Sequence, residues 1–152
     1  MKHVQSGLLT IAFVTSLFAG AQAAGMSGSA SSQIKPWLGT WSCKVPGNPH
    51  TATFSPVFGG NAMTIAETGK VPSQEIVTLS KGKWIDQYAD ASGAYMTFVG
   101  TPSGKSINFK QNYPSGDAAI LVTMASKNTY TTVFSATMGG KKMVERETCT
   151  RT

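Results

Sequence analysis

Two cysteines, Cys43 and Cys149, are the only thiols in the chain, and the simplest chemistry open to them is one structural disulfide. It would close a loop of 106 residues. The chain-entropy account puts the benefit of so long a loop at roughly 4–5 kcal/mol, an upper figure. Trp41 stands two residues before Cys43 and Arg151 two residues after Cys149. Residues two apart in a strand share a face. If the two segments run antiparallel with the cysteines opposite one another, counting outward in step places Arg151 across from Trp41. A guanidinium over an indole is then worth ~1 kcal/mol. On this register Trp41 and Arg151 form a structural clamp; the other role open to Arg151 is to neutralise an anionic head group.

Other residue types capable of chemistry are thinly spread. Apart from His3, the one histidine is His50, which the pattern places in a turn. That spacing assembles no histidine metal cluster and no Ser–His–Asp set, and it offers a poor axial ligand for haem. Asp86 and Asp90, four apart in a strand region, are not spaced as an acid–base pair. Met63, Met96, Met124, Met138 and Met143 would suit Cu(I), but scattered over separate strands they read better as core filling. The expectation is a protein without catalytic residues, metal or cofactor. Glu145 and Glu147 share parity with Cys149, so an unbroken strand turns both inward. Buried there, they would need a bulge to re-aim them, or a partner such as Arg151 or a lysine.

The elements that must position these residues begin after a leader. Lys2 and His3 precede an apolar run from Leu8 to Gly20, and Ala21-Gln22-Ala23 is a small-x-small cleavage site. The run is short of the roughly 20 residues a membrane span needs. Residues 1–23 therefore read as a secretion signal, and the remaining 129 residues as one exported domain. Loss of Lys2 takes the net charge from +6 to +5. The basic residues stand apart, with only Lys141-Lys142 adjacent, unlike the concentrated basic face of a nucleic-acid binder. Residues 24–32 are small and polar and read as a flexible tether, with the folded domain over 33–152.

Gln33 to Leu38 predicts a helical turn that brings Trp37 and Leu38 to one end of the fold. From Gly39 onward the pattern is ten short β-rich runs: 39–44, 51–57, 61–67, 74–80, 83–89, 94–99, 105–112, 118–125, 129–137 and 141–150. Turn dipeptides such as Gly59-Gly60 and Gly139-Gly140 separate them. No connection is long enough for a parallel crossover. The expected fold is all-β: one antiparallel up-and-down barrel of ten strands, or eight, closed by the pairing of first and last strands. Only an even number allows that closure with the cysteines opposed.

Gly39-Thr40-Trp41 on a first strand resembles the Gly-x-Trp opening of the lipocalin and fatty-acid-binding-protein superfamily. Cys149-Thr150-Arg151 is similar to the last strand of the fatty-acid-binding proteins. The chain departs from those proteins in having no room for a helical lid between residues 45 and 50, and no tyrosine two residues after the arginine. The closer likeness is to small, lidless, lipocalin-like domains exported by bacteria. The resemblance implies a barrel whose interior holds a small apolar or amphipathic molecule, with no nucleic-acid partner. The interior candidates are Phe54, Met63, Ile65, Val77, Trp84, Tyr88, Phe98, Ile107, Phe109, Leu121 and Phe134. A barrel this size either fills with side chains or keeps room for one ligand. The competing function is an interaction protein, such as an inhibitor of a secreted hydrolase that docks through the 24–32 tether.

Overall fold

A computed structural model describes residues 29–152. The leader expected over 1–23 and the first part of the tether lie outside the described residues. Residues 29–32 are the start of a helix. Ser29–Ile34 forms helix α1 and Lys35–Trp37 a 3-10 turn. Ile34 and Trp37, 1% and 7% exposed, place the end of this segment in the core.

Ten strands follow: β1 Gly39–Lys44, β2 His50–Val57, β3 Ala62–Thr68, β4 Ser73–Ser80, β5 Lys83–Asp90, β6 Tyr95–Ser103, β7 Ser106–Tyr113, β8 Ala119–Ser126, β9 Thr129–Met138 and β10 Lys141–Arg151. Each pairs antiparallel with its neighbour in sequence, and β10 returns to β1, so the sheet is a closed barrel. Closure leaves no strand edge unpaired. β6 runs further than the sequence pattern suggests. Pro102 pairs with Ile107 and Ser103 with Ser106, so the chain reverses over Gly104-Lys105, with Gly104 at φ 58°. A two-residue hairpin of this kind needs positive φ, which glycine accepts without strain.

The seam between first and last strands has the register that the cysteines imply: Cys43 opposite Cys149 and Trp41 opposite Arg151. The two sulfurs are bonded, and both cysteines are buried. Such a bond belongs to an oxidising, exported environment. The Arg151 guanidinium lies 4.1 Å from the centre of the Trp41 ring. Its nitrogens also donate to three backbone carbonyls: Leu38, Pro36 at 2.7 Å and Lys127 at 3.3 Å. Gly39 is required beneath it. At φ 122°, a Cβ there would meet Arg151 Nη1 at 2.8 Å.

The core gathers at this end of the barrel. Trp41 is fully buried, donates its indole N–H to the Trp37 carbonyl at 2.9 Å, and meets Tyr130 edge-on at 4.9 Å. Trp37 closes the end, packed edge-on against Trp84 and Tyr130. Gly100 admits the Phe109 ring across the strand pair; a Cβ at Gly100 would lie 2.6 Å from it. Among the described residues no helix is long and apolar enough to cross a membrane.

Candidate functional site

Above the Trp37–Trp84–Tyr130 floor the barrel is hollow, with a cavity of about 390 Å³. Its size is at the lower end for small-molecule sites, which span roughly 300–1,000 Å³. Val45 and Asn48, between β1 and β2, and the exposed Val71, between β3 and β4, border it at the other end of the barrel. Ten of the expected interior residues line it: Phe54, Met63, Ile65, Val77, Trp84, Tyr88, Phe98, Ile107, Phe109 and Phe134. Leu121 does not. It is 42% exposed on the outer surface, while its neighbours Ile120 and Val122 face in. β8 pairs Ile120 with Phe109 and Val122 with Ile107, and that alternation turns every odd-numbered side chain of this stretch outward.

The polar part of the wall is acidic. Glu67, Glu75, Asp86, Glu145 and Glu147 all line the cavity, five of the seven carboxylates in the chain. The chain has 13 lysines and arginines, and none of those among the described residues lines it. Strand parity explains the clustering. Glu67 follows Met63 and Ile65 inward on β3, Glu75 precedes Val77 on β4, and Asp86 lies between Trp84 and Tyr88 on β5. β10 carries Glu145 and Glu147 without a bulge in its pairing with β9.

Among the described residues His50 is the one basic-type side chain at the cavity, and it stands on β2, opposite Cys43, instead of in a turn. Its Nε2 is 2.9 Å from Glu147 Oε1 and 3.9 Å from Glu67 Oε1. Neither Nε2 nor Oε1 completes a directed hydrogen bond, so the contact is a close charge approach without N–H alignment. Glu147 therefore finds His50, neither Arg151 nor a lysine. Cys43 sulfur, His50 and Glu147 are grouped closely enough to suggest a metal site, but that sulfur is held in the disulfide and has no thiolate to offer.

Glu75 on β4 and Asp86 on β5 are diagonal neighbours across the strand pair, and their carboxyls influence one another electrostatically. Burial, and after it the Asp86 charge, raises Glu75 well above the usual carboxylic range. Burial likewise moves Asp86 up to about 7, against a lowering effect of the neighbouring Glu75 carboxyl. Glu147 rises to about 7 because burial outweighs the attraction of His50. Asp90 contrasts with these. It takes the Tyr88 hydroxyl at 2.9 Å and caps the β5–β6 turn through Ser92 and Ala94. Its pKa is lowered, chiefly by Ser92.

These shifts set the sign of the pH dependence. A carboxylic acid whose folded pKa is raised binds more protons in the native state, so its stabilising contribution is complete below the unfolded value and lost as pH rises through the folded one. For Asp86 that window runs from 3.8 to about 7, and for Glu147 from 4.5 to about 7. Glu67, Glu75, Glu145, His50, Tyr88 and Tyr130 share the space with them. The slope is at most about 1.4 kcal/mol per pH unit per group. The ligand-free protein should show a higher urea midpoint at pH 5.5 than at pH 8, with the difference reduced in Asp86→Asn. A flat profile, or one rising with pH, contradicts the acidic cluster.

Sequence reasoning passed over Glu75 and set His50 in a turn. Both were within reach of parity, Glu75 from Val77 two residues on and His50 from Ala52 and Phe54. What pattern alone does not supply is that β4 and β5 set Glu75 and Asp86 diagonally across from one another. No protein-family model matches the chain, and no curated protein matches it.

Proposed function

We propose that this protein is an exported, lipocalin-like barrel that binds one small apolar or amphipathic molecule in its interior, in the periplasm or outside the cell. The observation that carries the reading is the cavity of about 390 Å³ lined by aromatic, methionine and aliphatic side chains. Driving force comes from removing apolar ligand surface from water, ~25 cal/mol per Å² before ordering costs. Arg151 takes no part in binding, since its guanidinium is committed to backbone carbonyls and the Trp41 face. The alternative, a hydrolase inhibitor acting through residues 24–32, is weaker because Ile34 ties the end of that segment into the core.

Trp84 and Trp37 at the cavity floor provide the readout. Titration with the neutral probe N-phenyl-1-naphthylamine should quench tryptophan emission saturably. Val122→Phe, which fills the cavity from β8, should weaken that binding at least tenfold while leaving the fold intact by circular dichroism. Equal binding by the variant places the probe elsewhere and defeats the proposal.

A further inference from the structure

We infer that the ligand is an amphiphilic amine, whose primary ammonium donates to Asp86 Oδ1 between Glu75 and the Glu67–Glu147 side, with its apolar tail against Met63, Val77 and Phe98. The inference rests on the binding function proposed above and specifies its ligand class. Asp86 is 5% exposed, lines the cavity, and its Oδ1 has no hydrogen-bond partner among the described residues. An unsatisfied buried acceptor is costly, and the charge-assisted N–H donor of an ammonium is the partner that compensates it best. The surroundings repeat the demand: five carboxylates face the space and no lysine or arginine among the described residues does. In a chain of net charge +6, five of the seven acidic side chains thus border the cavity. Such a lining repels a fatty carboxylate, and a neutral ligand would leave the carboxylates without compensation.

A metal ion suits the wall less well. Among the described residues the one group of three ligand-type atoms within 4.8 Å of each other includes the disulfide-bonded Cys43, which leaves only His50 and Glu147. Asp86 belongs to no such group. It also lies opposite Val77 on one side and Phe98 on the other, apolar neighbours that fit a hydrocarbon chain and contribute nothing to a hard cation.

The test compares three eight-carbon probes on the full chain by calorimetry at pH 8: octylamine as its ammonium, octan-1-ol and octanoate. Octylammonium should bind at least tenfold more tightly than octanol, and octanoate most weakly. Asp86→Asn keeps the side-chain volume and should lose at least tenfold for octylammonium while changing octanol less than threefold. Glu147→Gln, on the other wall, should show the same selective loss. Octanol or octanoate binding as well as octylammonium overturns the amine assignment and leaves the binding barrel standing. Failure of all three to bind overturns both. Zn²⁺ or Ca²⁺ alone binding in an Asp86-dependent way and displacing octylammonium overturns the assignment in favour of a metal.

Discussion

Reduction of the Cys43–Cys149 bond should lower the stability of the barrel by about 3–5 kcal/mol, the range for losing a native disulfide that spans a long loop. At this chain length that corresponds to a fall in melting temperature of roughly 10–20 °C. The bond joins residues 106 apart and is the only covalent tie between the strands that close the sheet. Its effect falls mainly on the unfolded chain, which loses the freedom to separate its ends. The native state should therefore look the same with and without it: β1 and β10 keep their ladder, and Tyr130, whose hydroxyl lies 3.5 Å from the Cys43 sulfur, keeps its place among the aromatic rings. Both sulfurs are buried, so reductant alone should act slowly on the folded protein and quickly once urea opens the seam. The measurement is a pair of urea curves, oxidised and reduced, with native tryptophan emission as the control. Coincident midpoints would remove the disulfide from the account of stability.

The barrel was legible because its signals are local and repeated. Ten β-rich runs punctuated by Gly and Pro turns set strand number, and the two cysteines set the register of closure, from which the Trp41–Arg151 pairing follows by counting. Ends of elements were less legible. β2 begins at His50, one residue before the β-rich run, and that single step moves His50 from a turn to the cavity. Leu121 shows the second limit. In the run Ile120-Leu121-Val122 every side chain is apolar, so hydropathy cannot say which of two parities faces in; the pairing with Ile107 and Phe109 decides it. The acidic lining shows the third. Glu147 is read as inward from its own strand and Glu75 goes unremarked, but only the closed sheet brings Glu67, Glu75, Asp86 and Glu147 around one space. Clustering across strands is a property of topology, not of any one segment.

Arg151→Lys should cost about 2–4 kcal/mol, although it conserves the charge. The estimate combines loss of hydrogen bonds from a charged group, one of them part-buried, at about 1.5–3 kcal/mol, with a weaker cation–π contact of ~0.5–1 kcal/mol. The guanidinium is a flat fork that reaches the carbonyls of Leu38, Pro36 and Lys127 while stacking over Trp41, and an ammonium has no plane to stack and cannot span the same acceptors. Two of these acceptors belong to the segment that carries Trp37, so the substitution should loosen the closed end before it opens the seam. The three tryptophans, Trp37, Trp41 and Trp84, make this visible by NMR. The Trp41 indole N–H, bonded to the Trp37 carbonyl, should exchange faster in the variant, whereas that of Trp84 should change less. Arg151→Met, which retains the aliphatic stem and removes every donor, should be at least as destabilised. If Arg151→Lys keeps the parent urea midpoint and the Trp41 indole exchanges no faster, the guanidinium is an ornament of the surface, and closure rests on the disulfide and the β1–β10 ladder alone.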